Sequence, residues 1–284
     1  MGRISNSISL VKSSWGVLSK DKELIALPAI SGVVSLVCVA PFIVGAFVAT
    51  PTTSGGDAQV GLLGYALMFL GYLVGAYITI FFQAAMILAA NERLSGGSPT
   101  LGSALSAATQ HAGAILPWAI ISATVSMVLR AIQERSGFLG RIVIGLVGMA
   151  WTLVTFLVLP ILVIEGTGVK DALTRSAGAF KRTWGENVVG NAGIGLVGIA
   201  GALIGLVVAG PIVALGITGD VVAMTVGGIA LFVIWMILVS VFTAALSGVF
   251  QTALHRYAVL GEEPQGFTHD QIAGAFRTKT RRLG

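Results

Sequence analysis

Residues 190–210 read GNAGIGLVGIAGALIGLVVAG, and positions 193–198 within them have the G-x-G-x-x-G spacing of a dinucleotide-binding loop. In such a loop the glycines follow a β-strand and open a helix, and an acidic residue about twenty positions later binds the ribose. Here the glycines follow a polar, basic segment and lie inside the apolar run 188–215, which separates their start from Asp220. The context therefore excludes a dinucleotide site and predicts a membrane-spanning helix.

A second pattern explains these glycines, because small residues recur every three or four positions along one face of the predicted helix. In lipid, small residues let two helix backbones approach closely, and Gly201 with Gly205 forms a further pair of this kind. We therefore predict that this face packs against another helix. The small-residue seam comprises Asn191, Gly195, Gly198, Ala202, Gly205 and Ala209.

The composition is that of a protein with many membrane spans. Of 284 residues, 55% are hydrophobic and 10% are charged, whereas soluble domains have roughly 25% charged residues. The mean hydropathy is +0.92. A single cysteine, Cys38, excludes an intrachain disulfide and a cysteine-rich metal site. In so apolar a chain the net charge of +5 indicates anionic lipid as a partner and not nucleic acid.

Six stretches are long and apolar enough to cross a bilayer, which takes about 20 residues. They lie at 24–49, 60–90, 112–129, 142–164, 188–215 and 221–254. The predicted fold is all-α, with six transmembrane helices in a single polytopic domain that spans the whole chain.

Most of the 17 lysines and arginines fall on one side of these spans. Cytoplasmic loops carry an excess of basic residues, so both termini are predicted to be cytoplasmic, in a bacterial plasma membrane. The exceptions are Arg130, Arg135 and Arg141, which lie in a predicted outer loop whose role the sequence leaves open.

The chain also contains an internal repeat. The segment SLVKSSWGVLSKDKEL from Ser9 is similar to ALTRSAGAFKRTWGEN from Ala172, and ALSAATQHAGAILPW from Ala104 is a weaker copy. Each copy precedes two spans, which predicts three parallel hairpin units. These units are 4–90, 100–164 and 170–254, followed by a basic cytoplasmic tail, 255–284.

The segments before each hairpin are predicted to be short amphipathic helices on the cytoplasmic side. In the first, apolar residues follow the helical period from Ile4 to Leu18. Such a helix lies in the headgroup layer or packs on the ends of the spans, and both arrangements remain open. Basic residues lie off the apolar face and are predicted to contact anionic lipid or an acidic protein partner. This basic face consists of Lys12, Arg175, Lys181 and Arg182.

Polar residues follow a helical spacing along spans two and six, each of which closes with Phe-Gln. One interpretation is that these stripes face each other and exchange hydrogen bonds, and the other is that they line a polar path. The absence of an ionisable residue near the middle of any span disfavours ion transport. The residues are Thr79, Gln83, Ser240, Thr243, Ser247 and Gln251.

No sequence pattern indicates catalysis. The three histidines have no cysteine or acidic residue at a metal-ligand spacing. Glu165-Gly166-x-Gly168 is interpreted as a helix stop followed by a turn. We therefore expect no enzyme activity, no cofactor and no metal.

The motifs MGRISNSISLVKSSWGVLSKDKELIALPAISG and LPILVIEGTGVKDALTRSAGAFKRTWGENVVGN resemble an uncharacterised bacterial family of six-span integral membrane proteins, common in actinobacteria and named as a domain of unknown function. The likeness covers nearly the whole chain. It implies a helical plasma-membrane protein and assigns no activity.

Two functions follow as hypotheses. The first is a non-catalytic scaffold or accessory subunit that binds lipid, a protein partner or a second copy of the chain. The alternative is a transporter or channel for a small or lipid-like molecule. A lipid-sized cavity lined by the polar stripes favours the alternative, and a tightly packed bundle favours the scaffold.

Overall fold

The computed structural model describes residues 3–50, 60–182 and 184–262, and in these ranges the chain is helical and contains no strand. The α-helices are α1 (Arg3–Leu18), α2 (Ala26–Val48), α3 (Leu62–Leu94), α4 (Leu101–Gln110), α5 (Ala112–Arg135), α6 (Phe138–Thr155), α7 (Val158–Ile164), α8 (Val169–Arg182), α9 (Trp184–Thr218) and α10 (Val222–His255). A 3-10 turn (Lys22–Ile25) precedes α2, and a π-helical turn (Arg256–Leu260) follows α10.

Six helical stretches are long and apolar enough to cross a membrane, which confirms the predicted number. The third extends to Arg135, beyond the predicted end at 129, and the fourth begins at Phe138, before the predicted start at 142. Both differences place charged residues of the predicted outer loop inside helices, because a short connection at Ser136 and Gly137 suffices to join them.

A short helix precedes each pair of long helices: α1 before α2 and α3, α4 before α5 and α6, and α8 before α9 and α10. The helix α4 begins with a capping box in which Thr100 and Ser103 bond each other's backbone N–H groups. The equivalence of the three units stays a prediction. The first helix, α1, packs against α9 and α10, where the ring centroids of Trp15 and Phe242 are 5.2 Å apart.

The fourth apolar stretch is interrupted at Phe156 and Leu157, between α6 and α7. Pro160 explains the break, because proline has no N–H to donate to the carbonyl four residues earlier and its ring clashes with that carbonyl. The carbonyl concerned is that of Phe156. After α7, Gly166 takes a positive φ of 65°, which agrees with the predicted helix stop at this point.

Tight packing is concentrated at one end of the bundle, which we call the core end. It combines the last turns of α3 and α10 with the first turns of α5, with α7 and with the end of α1. Fully buried side chains here include Leu18, Ile87, Ile115, Ile161 and Leu246. Towards the opposite end the long helices expose large apolar side chains, such as Leu62 at 88%.

The helices α9 and α10 form a close antiparallel pair. At Gly205 a Cβ would overlap Cδ1 of Trp235, and at Gly201 it would lie 2.9 Å from Val239. The indole N–H of Trp235 donates to the carbonyl oxygen of Gly201 at 2.7 Å. Gly205 leaves the space that the tryptophan ring fills, and Gly201 leaves space for Val239.

The members of the small-residue seam differ in their surroundings. Ala209 is buried, and a Cβ at Gly198 would make an ordinary contact of 3.7 Å with Thr243. A Cβ at Gly195 would meet nothing within 4 Å. The side chain of Asn191 lies outside the described residues. The seam as a whole stays a prediction, and its closest approach is at Gly205.

The substitution Gly205→Ala should lower the thermal stability of the extracted protein, because the added methyl group forces Trp235 to move. Overpacking of this kind costs about 1–3 kcal/mol. Gly227→Ala is the matched control in the same hairpin, since its Cβ meets nothing within 4 Å. Alanine is the better helix former, so the control should be neutral or stabilising. Equal destabilisation of the two variants in a thermal unfolding assay contradicts this account of the packing.

Candidate functional site: a cleft between three long helices

A cleft between α2, α3 and α10, with a volume of about 770 Å³, brings several predicted site residues together. Cavities of about 300–1,000 Å³ are typical of small-molecule sites, and such sites combine an apolar lining with a few polar groups. The polar residues that line this cleft are Ser31, Ser35, Thr79, Gln83, Ser240 and Ser247.

The structure divides the predicted polar path into two sets. Four of its members, Thr79, Gln83, Ser240 and Ser247, line the cleft. Thr243 lies on a different face of α10, next to Gly198 on α9, and Gln251 is buried behind the cleft.

The contribution of α2 to the cleft was missed by the sequence analysis. Its lining residues are Pro28, Ser31, Gly32 and Ser35, which follow the i, i+3, i+4, i+7 spacing of one helix face. That spacing is a readable signal for a polar, small-residue face. No polar partner lies within hydrogen-bond distance of the buried Ser35 hydroxyl among the described residues.

The lining of α10 changes in character along the helix. Phe232, Val233, Met236 and Ile237 line the part of the cleft farther from the core end. Ser240 and Ser247 follow on the same helix towards the core end. The cleft is thus amphipathic along its length, with its apolar part directed away from the core.

Two glutamines join the floor of the cleft to the helix break. The side-chain amide of Gln251 donates to the carbonyl oxygen of Phe156, the group that Pro160 leaves without a helical donor. The amide of Gln83 in turn donates to Oε1 of Gln251 at 3.1 Å. Of the two interpretations of the polar stripes, the exchange of hydrogen bonds therefore applies to Gln83 and Gln251. The hydroxyl residues Thr79, Ser240 and Ser247 line the cleft instead.

Ser176 on α8 supports the same break from the other side. Its hydroxyl donates to the carbonyl oxygen of Val154 and accepts from the N–H of Leu157 at 3.3 Å. Ser176 is 1% exposed, and burial strengthens the requirement that every backbone polar group is paired. Side chains from α8 and α10 thus replace the hydrogen bonds that the interrupted helix loses.

Replacing Gln251 by methionine should destabilise the protein by about 1–3 kcal/mol, because the buried carbonyl of Phe156 loses its donor. Methionine is an unbranched side chain that fills similar space. The matched control is Gln83→Met, which removes the exposed end of the pair and leaves the bond to Phe156 in place. Thermal unfolding in one detergent compares the two variants. A larger loss for Gln83→Met than for Gln251→Met contradicts the assignment of Gln251 to the helix break.

Charged groups gather at the core end, outside the cleft. Glu165, at the end of α7, bonds Nε2 of His255 at 2.9 Å and forms an ion pair with Arg175. His255 is fully buried. The tail was predicted from the sequence to begin at His255. The structure instead buries His255 in the helical core, and sequence spacing did not reveal its contact with Glu165.

The basic face is described in part. Lys12 is exposed on α1, whereas Arg175 shares the carboxylate of Glu165. The side chains of Lys181 and Arg182 lie outside the described residues. The paired state of Arg175 changes its role, since part of its charge is already balanced by an acidic neighbour.

Two further arginines tie helix ends together at the core end. Arg93 at the end of α3 forms an ion pair with Asp21, in the segment before α2. Arg256 donates to Oδ1 of Asn91 at 2.9 Å and to Glu262 at 2.6 Å. In the ranges that the structure describes, no group of three or more histidine, cysteine and acidic side chains is arranged to hold a metal ion.

The architecture defines an all-helical protein with six helices apolar enough to cross a membrane and a cleft between three of them. A comparison with protein families matches residues 62–266 to the Family of unknown function (DUF6159), and the chain belongs to this family. No curated protein and no solved structure matches the chain. The matched region includes two of the three helices that line the cleft, α3 and α10.

Proposed function

We propose that this chain is a multi-pass protein of the bacterial plasma membrane that binds a lipid or lipid-like molecule in the cleft, as a non-catalytic scaffold or accessory subunit. The observation that carries the proposal is the cleft of about 770 Å³ itself. Its lining is mainly apolar, and the polar groups that it contains are hydroxyls and one amide. Such a lining suits the chain and headgroup of an amphiphile.

The distribution of exposed apolar residues supports the membrane location. Val48, Leu62, Phe138 and Val222, at the ends of helices far from the core end, are each at least 75% exposed. Contiguous exposure of this kind is unfavourable in water, whereas lipid solvates it. The helix lengths agree, because α10 has 34 residues, roughly 50 Å at 1.5 Å per residue. This exceeds a hydrocarbon core of about 30 Å.

The excess length supports an arrangement in which the core end projects beside the membrane and the exposed apolar ends lie within it. Among the residues that the structure describes, the basic ones lie predominantly at the core end, so the positive-inside rule predicts that it is cytoplasmic. Both termini are then cytoplasmic. The exposed Lys12 on α1 would contact anionic headgroups or an acidic partner there, each such cation contributing about 1 kcal/mol of attraction near an anionic surface.

A cysteine-labelling experiment tests this orientation, in a Cys38→Ala background that removes the native thiol. A cysteine at Ser54, between α2 and α3, should react with an impermeant thiol reagent in intact cells. A cysteine at the exposed Thr174 on α8 should react only after the membrane is permeabilised. The reverse pattern inverts the proposed topology, and labelling of both positions in intact cells contradicts a six-span arrangement.

Filling the cleft should remove the bound lipid. A Cβ at Gly32 meets nothing within 4 Å, and Gly32 lines the cleft, so Gly32→Leu places a bulky side chain in the open space. Gly227→Leu is the matched control, because Gly227 also has nothing within 4 Å but lies outside the cleft lining. Native mass spectrometry of the purified protein should show co-purifying lipid with the control and a marked loss with Gly32→Leu. Equal retention in the two variants refutes the cleft as the lipid site.

The cleft of about 770 Å³ also supports the transporter hypothesis, because a lipid-sized cavity lined by the polar stripes is what that hypothesis expects. One further observation favours it. A second cleft of about 430 Å³ lies against α2, α3 and α5, and Ser35 and Thr79 line it as well as the first. The second cleft adds Ser122 and Ser126 from α5. Two hydroxyl-bearing clefts that meet at shared residues would offer a lipid-like molecule successive positions along the bundle. Lipid binding at the first cleft is the step that both functions have in common.

A further inference from the structure

We infer that the cleft selects an uncharged lipid with a free hydroxyl group, of the diacylglycerol type, over an anionic phospholipid. The inference rests on the proposed lipid-binding function and adds the chemical class of the ligand. It follows from the hydrogen-bond directions in the glutamine pair and from the charge of the lining.

The direction of the glutamine hydrogen bonds is fixed by Phe156. A backbone carbonyl oxygen only accepts, so the group that Gln251 presents to it is the amide N–H₂. The oxygen of Gln251 therefore faces Gln83, which must use its own N–H₂ as the donor. The groups left over at the floor of the cleft are the side-chain oxygen of Gln83, an acceptor, and the second N–H of its amide, a donor.

One free acceptor and one free donor on the same amide favour a ligand group that both donates and accepts. A hydroxyl group does both, whereas a fully ionised phosphate or a carboxylate only accepts. The hydroxyl of Thr79 donates to the carbonyl oxygen of Gly75 at 2.8 Å, which also leaves it as an acceptor towards the cleft. A ligand hydroxyl thus has two acceptors on adjacent turns of α3.

The charge of the lining points in the same direction. Among the described residues, the lining of the cleft includes no lysine, arginine, histidine or acidic side chain. Burial of an ionised headgroup without a partner of opposite charge is strongly unfavourable. An uncharged headgroup carries no such penalty, and the serines of α2 and α10 pair with its remaining oxygens.

The depth of the polar groups suits such a lipid. Ser240 lies 18 positions after the first residue of α10, close to the roughly 20 residues that span the hydrocarbon core. The headgroup of a lipid in the cytoplasmic leaflet would therefore lie beside Ser240 and Ser247. Its acyl chains would extend along Phe232 and Met236, towards the middle of the membrane.

Two photoactivatable probes with identical acyl chains test the inference, one a diacylglycerol and the other the corresponding phosphatidic acid, at a pH at which its phosphate is fully ionised and has no donor. Each is incorporated at the same fraction into phosphatidylcholine vesicles that contain the full chain, and cross-linked residues are mapped by mass spectrometry. We expect labelling of cleft residues by the diacylglycerol to exceed labelling by phosphatidic acid about tenfold, since an unpaired buried polar group weakens binding by about that factor.

Each outcome has a distinct meaning. Equal or stronger labelling of the cleft by phosphatidic acid overturns the inference and leaves lipid binding at the cleft intact. If neither probe labels the cleft, the result overturns the proposed function together with the inference. Because this comparison uses the unmodified chain, its result does not depend on the folding of a variant.

A matched pair of variants tests the role of Gln83. Gln83→Met removes the free acceptor and should reduce diacylglycerol labelling about three- to tenfold, the effect of one lost hydrogen bond. Thr243→Val alters a polar residue that lies outside the cleft lining and should leave the labelling unchanged. Equal labelling of the two variants contradicts recognition through Gln83.

Discussion

The carbonyl oxygen of Phe156 is the point on which the core end of this protein depends. Pro160 deprives it of the helical donor that would normally lie one turn later, and Gln251 of α10 supplies the missing hydrogen bond. Gln83 of α3 then bonds Gln251. One interrupted helix is thereby tied to two uninterrupted ones, and the side chains packed around this junction form the hydrophobic core.

The same junction marks the boundary between a half of the bundle with buried apolar side chains and a half with exposed ones. At the core end, buried apolar residues surround paired polar groups, including the contact between Glu165 and His255. Away from the junction the long helices pack less tightly, and many of their large apolar side chains are exposed. The close approach of Trp235 to Gly201 holds α9 against α10 in that outer region. The cleft lies between α2, α3 and α10, and its lining reaches Met86 in the buried core.

Much of the architecture is local in origin and therefore readable from the sequence. The six apolar helices follow from stretches that exceed the length of a bilayer. The stop after α7 follows from Gly166, whose positive φ suits glycine. Features that combine local spacing with a distant partner were predicted only in part. The spacing correctly grouped Ser240 and Ser247 on one face of α10, and Thr79 and Gln83 on one face of α3. It also assigned Thr243 to the face of Ser240, whereas in the structure Thr243 lies towards α9.

By itself the sequence determined an all-helical chain with six apolar helices, because hydropathy and helix length depend only on neighbouring residues. Tertiary structure alone decided that Gln251 serves the carbonyl of Phe156, 95 positions away, and that Glu165 divides its carboxylate between His255 and Arg175. It also decided that α2 completes the cleft. The physical reason is that a polar group finds its partner through the packing of helices, and helix periodicity specifies which face a residue occupies but not which helix lies opposite.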